Sequence, residues 1–387
     1  MVRWHTFEPG IPDETAERQR MQARIGEWWQ AFAAQAPAIA RLHRGQEEFD
    51  LFAWMDEHFS PVGALAWEFG PGSGDGDRLV ITCENDHASR PLVETIISAA
   101  PILPGWTFHP WRLSDGPEQA IRNIASRTGA PWTANGCRIG PGNGHAIDVS
   151  FCHPAEALAA DPDLAQRQAI IAVDELLGEE ALARWFRYID AIPAGPGDLP
   201  LDGFAGAFAQ VKDDILAGIP PDTYQERRSG ATWHTLSIKH GSSLQHPRAN
   251  DQFTAITMDC ELWTAAHRPL FHSSRFSTRE VFAYLKIDGK DGLDPRGGFG
   301  DRGDIEDAIN GVLNPAGLGC VIGGGTGRRY SYIDLALTDW RTALPGLRAC
   351  LRQGFIPKES WLLFFDEEWA DEWLGIYPET PAPPGCA

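Results

Sequence analysis

No cysteine in this chain has a near neighbour. The seven, Cys83, Cys137, Cys152, Cys260, Cys320, Cys350 and Cys386, are odd in number and widely spaced, and no C-x-x-C pair occurs. That argues against a disulfide scaffold and a Cys-based zinc site, and it makes a reducing, cytoplasmic setting the expectation. No apolar run approaches the roughly 20 residues a membrane-spanning helix needs, so no membrane partner is expected. Met1-Val2-Arg3-Trp4-His5 leads into polar sequence without an apolar core, so a secretory signal is not expected either. Cys386 stands next to last, the wrong place for prenylation. Positive charge is scarce: 33 Lys and Arg face 53 Asp and Glu, for a formal net charge of -20. Such a surface repels phosphate backbones and argues against nucleic acid as a partner. It suits solubility, or a basic protein partner.

The familiar catalytic signatures are missing too. There is no G-x-S-x-G elbow and no Walker A loop. His234, His240, His246, His267 and His272 gather in one region, but none forms an H-x-H or H-E-x-x-H pair, so they read as scattered core or surface histidines. Asp288-Gly289-Lys290-Asp291-Gly292-Leu293-Asp294 has the look of a calcium loop, yet Lys290 stands where an acid is wanted and the bidentate Glu is missing. No metal or cofactor is expected. Local spacing fixes no Cys–His pair either.

What the chain does contain is periodicity. With 387 residues it is long enough for two or three domains with real cores, and its 15 tryptophans are expected in cores or domain seams. Residues 14–42 carry Ile25, Trp29, Phe32, Ile39 and Leu42 at helical spacing, with Pro37 expected to break or kink the helix. A strand pair over 64–69 and 78–83, a helix over 90–100 and a strand over 106–112 follow. Residues 145–153 read as a strand, Ile147, Val149 and Phe151 alternating with Asp148, Ser150 and Cys152; 164–177 read as a helix, and 185–192 are ambiguous between the two. Strands are expected at 233–239 and 253–263. The last unit is clearest: strand 281–287, helix 304–314, strands 317–322 and 329–337, a helix to 353 capped by Asp339, and strand 361–365. That order is the split βαβ of ferredoxin-like domains.

The expected fold class is therefore α+β, with ferredoxin-like units at both ends and a mixed segment between. The expected divisions are an N-terminal αββαβ unit over 1–144, a mixed segment over 145–220, a connector over 221–278, a βαββαβ unit over 279–378 and a flexible tail over 379–387. The N-terminal unit repeats the last five elements of the C-terminal order, by duplication or by convergence.

Arg78-Leu79-Val80-Ile81-Thr82, Arg90-Pro91-Leu92-Val93, Ala100-Pro101 and Leu103-Pro104-Gly105-Trp106 together resemble a bacterial domain family of unknown function, marked by a "PLVE" helix and an "AP-x-LPGW" exit. In shape such domains are similar to the regulator of ribonuclease E activity B, an acidic ferredoxin-like protein that binds its target enzyme. The resemblance covers about a quarter of the chain. It implies a fold and a cytoplasmic setting and carries no catalytic residue.

Two clusters are candidate sites. Gly323, Gly324, Gly325 and Thr326, followed by Arg328, Arg329 and Tyr330, read as a glycine turn tipped with arginines. It is a hairpin turn, a partner contact, or a cradle for an anion. Glu84, Asp86, His87 and Arg90 gather at a strand-to-helix turn, as an acid/base cluster or as helix caps. The leading expectation is a protein-binding or regulatory protein, of toxin-neutralising or immunity type, whose partner is another protein. The rival is an enzyme or a binder of small anionic ligands near the 323–329 hairpin. A third reading, a piece of a larger assembly, has Trp111, Trp340, Trp369 and Trp373 as exposed contacts.

Overall fold

The computed structural model describes residues 2–72, 76–239 and 246–384. It divides into two compact units, Met1–Leu113 and Ser114–Ala387. The fold is α+β, with three sheets among the described residues. No helix among them is long and apolar enough to cross a membrane.

In the first unit, α1 (Pro12–His43) and α2 (Leu51–Phe59) precede β1 (Ala66–Pro71), β2 (Asp77–Thr82), α3 (Arg90–Ser98) and β3 (Trp106–His109). Helix α1 runs on through Pro37. Phe32 and Ile39, on either side of the proline, are both fully buried, and that burial offsets the lost backbone hydrogen bond. The aromatics on α1 fill the core: Trp28 packs on Phe59 with ring centres 4.9 Å apart, Trp29 on Phe108 at 4.8 Å and Phe32 on Trp106 at 5.0 Å. Strand β2 pairs antiparallel with β1 and parallel with β3. The expected repeat of the C-terminal unit fails at this point. There, the corresponding strands have another strand inserted between them. Here β2 and β3 are direct neighbours, because the unit opens on helices and supplies no strand to insert among the described residues.

The second unit begins with α4 (Pro117–Thr128), β4 (Gly136–Pro141), β5 (Ile147–His153), α5 (Ala155–Ala160), α6 (Pro162–Leu177), α7 (Glu179–Trp185), β6 (Phe186–Pro193), β7 (Leu199–Pro200) and α8 (Phe204–Gly218). Its first sheet has the order β6-β5-β4-β7. Residues 185–192 looked ambiguous because α7 passes into β6 with no intervening loop, so both periodicities meet at Trp185 and Phe186.

Next come α9 (Tyr224–Arg227), β8 (His234–Ser237), β9 (Gln252–Thr257), α10 (Cys260–Ala266), β10 (Val281–Asp288), α11 (Arg302–Ala316), β11 (Gly319–Gly327), β12 (Tyr330–Leu337), α12 (Trp340–Gln353), β13 (Ser360–Phe364) and β14 (Trp373–Gly375). The strand expected over 253–263 ends early. Asp259 accepts from Leu262 N at 2.9 Å and starts α10, a cap hidden in the sequence by apolar residues on both sides. The second sheet has the order β14-β13-β10-β12-β11-β9-β8. Ala283, Leu285, Ile287, Ile333, Leu335 and Leu362 point from it into one core with Ile305 and Ile309 of α11 and Leu347 and Leu351 of α12.

Two further expectations change. The chain beyond 378 is fastened at Thr380 and Pro381: Thr380 is buried, its hydroxyl donates to Lys358 O at 2.9 Å, and Trp361 Nε1 donates to Pro381 O at 2.6 Å. Trp111, Trp340 and Trp373 are buried, so they offer no exposed contact surface for an assembly.

Candidate functional site

Alternation along β10 and β12 places Tyr284, Lys286, Tyr332 and Asp334 opposite the helix-covered face of the large sheet. Tyr284 pairs with Asp334 and Lys286 with Tyr332 across the two strands. Arg248 lies over this second face. Its guanidinium ion-pairs with Asp334, Nη2 to Oδ2 at 3.0 Å, and Nε donates to Gln252 Oε1 at 3.0 Å. The same guanidinium carbon sits 4.9 Å from the Tyr332 ring centre, 5.1 Å from Tyr284 and 5.4 Å from Phe365. Charge pairing and ring faces together accept a cation that water cannot reach.

The glycine run belongs to this face and not to a turn. Gly323, Gly324, Gly325 and Thr326 lie inside β11, paired with β12 on one side and β9 on the other. Their backbone groups are used in the ladders and cannot converge on an anion. The glycines are there for space. A Cβ on Gly325 would lie 1.7 Å from Gln252 Nε2, one on Gly327 1.8 Å from Asp251 Oδ2, and one on Gly323 2.6 Å from Ile256 O. The turn falls instead at Arg328 and Arg329. Asp251 pins it, accepting from Arg329 N at 3.0 Å and from Tyr330 N at 3.1 Å. Arg329 pairs with Asp288 at 3.1 Å and Glu359 at 3.0 Å, and Tyr330 is buried beneath Lys286.

The other sequence cluster disperses. Arg90 turns inward, 1% exposed, with its guanidinium 3.3 Å over the Trp111 ring and a hydrogen bond to Pro110 O. Glu84 is exposed and held by Arg112 at 2.9 Å, and Asp86 accepts from the Ser89 hydroxyl at 2.6 Å. Asp86 does not cap α3, whose start has no side-chain cap, and His87 is half-buried.

Beside Arg248 the sheet face opens into a cavity of about 440 Å³. Tyr284, Leu363 and Phe365 form its apolar wall; His246, Arg268, Lys286 and Asp366 bring polar groups to it. Of the histidines that looked scattered, two meet here: the His246 and His267 rings are 5.5 Å apart, and His240 lies outside the described residues. His267 Nδ1 donates to Trp263 O at 2.7 Å, and its buried Nε2 has no partner among the described residues. Burial first, then Arg248 and Lys286, pushes His246 down to about 3. Burial, with Arg248 and His246 adding to it, also holds His267 well below the usual histidine range.

Both histidines are therefore neutral in the fold and protonate more readily when it opens. The stability they contribute is fully present above the unfolded histidine value and is lost as pH falls from about 6.5 toward the depressed folded values. Each is expected to add a slope of up to about 1.4 kcal/mol per pH unit in that window. Denaturant midpoints taken between about pH 7 and pH 5 check this. His246→Phe should flatten the slope; an unchanged slope would count against the assignment.

Asp366 anchors the far wall. It accepts from Ser273 N at 2.6 Å and from the Ser273 hydroxyl, and burial raises its carboxyl above the usual range. Behind it, Arg184 on α7 forks onto Glu368, Nε to Oε1 at 2.8 Å and Nη2 to Oε2 at 3.0 Å. That bidentate pair ties the first half of this unit to the second. Ionisable side chains thus do converge in a buried place, though no local spacing fixed them. Sequence reasoning missed His246, Arg248, Arg268, Tyr284, Lys286 and Asp366. The available signal was the strict alternation of Tyr284 and Lys286 with Ala283, Leu285 and Ile287, echoed by Tyr330, Tyr332 and Asp334.

No protein-family model, curated protein or solved structure matches the chain.

Proposed function

We propose that this is a binding protein whose second unit takes a small ligand with an anionic group on an apolar body. The observation that carries the reading is the 440 Å³ cavity, walled by Tyr284, Leu363 and Phe365 and rimmed by Arg268. Its volume falls within the roughly 300–1,000 Å³ of small-molecule sites, and a few polar groups on apolar walls are what such sites use. Arg268 is half-buried and makes no ion pair among the described residues, so it is free to meet an anion. The partner-protein expectation rests on net charge, the fold pattern and the absence of a catalytic signature, and has no comparable geometry behind it among the described residues. We read strands β13-β10-β12-β11 with α11 and α12 as a ferredoxin-like split βαβ, extended by β14 at one edge and by β9 and β8 at the other. A cytoplasmic setting fits the six free cysteines among the described residues.

A thermal-shift panel of benzoate, phenyl phosphate and neutral benzyl alcohol tests the reading. The aryl anions are expected to stabilise the full chain, by about 2.7 kcal/mol at a hundredfold excess over Kd. Leu363→Trp, which fills the cavity, is expected to abolish the shift while leaving the circular dichroism unchanged. Shifts that survive Leu363→Trp, or no shift with any aryl anion, would sink the proposal.

A further inference from the structure

Two opposite charges line the same cavity without pairing. Of the charged side chains around it, Asp366 is bound to Ser273, Lys286 lies over the Tyr330 and Trp361 rings, and Asp371 has a partner of its own. Arg268 and Glu367 remain. Both are half-buried, and neither makes an ion pair among the described residues, with the other or with any third group.

The backbone brings these two to one end of the cavity. Glu367 N donates to Phe271 O at 3.1 Å, and Glu367 Oε2 accepts from Leu270 N at 3.2 Å, so Glu367 is tied to the short segment that carries Arg268. Its Oε1 accepts no hydrogen bond among the described residues. Leu270, between Arg268 and Phe271, has a φ of 59°, a left-handed conformation that a branched side chain rarely adopts. Its carbonyl is held there by Arg275 Nη2 at 2.6 Å. Strain of this kind collects at ligand clamps. Elsewhere in the unit, arginines close on neighbouring carboxylates, as at Arg329 and Arg184. Here the cation and the anion are held apart on one cavity wall.

We infer that the ligand is a zwitterion, an α-amino acid with an aryl side chain. Its carboxylate meets the Arg268 fork, its ammonium meets Glu367 Oε1, and its ring lies against Tyr284, Leu363 and Phe365. The two charges of an α-amino acid sit on one carbon, so they need a cation and an anion at the same end of a site. A simple aryl anion would satisfy Arg268 and leave its charge facing Glu367. This inference rests on the ligand-cavity reading, and the test separates the two.

Isothermal titration of the full chain at pH 7 compares L-phenylalanine with 3-phenylpropanoate, which lacks the ammonium, and phenethylamine, which lacks the carboxylate. L-Phenylalanine is expected to bind about tenfold or more tighter than either, the gain from one further charge-assisted contact. Glu367→Gln keeps an oxygen for Leu270 N; it is expected to weaken L-phenylalanine about tenfold and leave 3-phenylpropanoate unchanged. Arg268→Gln is expected to weaken both and spare phenethylamine. If 3-phenylpropanoate binds as tightly as L-phenylalanine, or Glu367→Gln weakens neither, the inference is overturned while the cavity reading stands. Binding of benzoate but of none of the three probes has the same meaning. Binding of L-phenylalanine that persists in Leu363→Trp, or silence from all three probes and benzoate, overturns the inference and the cavity reading together.

Discussion

Arg248→Ala is expected to destabilise the second unit by about 3–5 kcal/mol, the largest effect of any single change at this site. The alanine removes one partner of a buried ion pair and leaves the other behind. Asp334 is 3% exposed, so its carboxylate would face Tyr284 and Tyr332 with no counter-charge, and Gln252 Oε1 would lose its donor. The cost comes mainly from that stranded carboxylate and only secondarily from lost contacts. It follows that Arg248→Met with Asp334→Leu, which removes both charges, should be less damaging than Arg248→Ala despite changing more atoms. Guanidinium unfolding of the full chain measures both, with amide exchange along β9 to β12 assigning the transition to the second unit. A single mutant within about 1 kcal/mol of wild type would mean that water reaches the pair and screens it.

This pair also marks how far the sequence could be read. The order strand, helix, strand, strand, helix, strand over the last third was legible because every boundary has a local cause. Asp339 accepts from Thr342 N at 3.1 Å and starts α12, and Gly317 takes a positive φ to end α11. Apolar period switches from 2 to 3.6 between those marks. The site has no such local cause. Arg248 and Asp334 are 86 positions apart, and Ser273 and Asp366 are 93 apart. Which strands become neighbours decides those meetings, and neighbour order is not written in periodicity. The first unit makes the same point in reverse. Its elements were read in the right order, yet β2 and β3 pair directly, a choice set by which strands are available to the sheet.

The glycines of β11 show most sharply how one residue type carries two meanings, and they give the second large effect. Gly325→Ala is expected to cost about 1–3 kcal/mol or more, as overpacking does in a filled interior. The new methyl would fall 1.7 Å from Gln252 Nε2 and 2.8 Å from Thr254 O. Gln252 is fully buried and bonded to Arg248, so its amide cannot simply swing into solvent, and the backbone oxygen cannot move without opening the ladder to β9. The disturbance therefore reaches Arg248 and the cavity wall, and loss of aryl-anion binding should accompany the loss of stability. Gly311→Ala is the control with the opposite sign. Gly311 is exposed within α11 and a Cβ there meets nothing within 4 Å, so alanine should stabilise by about 1 kcal/mol through helix propensity. Denaturation midpoints of the two variants on either side of wild type are the expected result. If Gly325→Ala instead moved with Gly311→Ala, the run at 323–325 would be a flexible connection after all, and its place inside the sheet would be refuted.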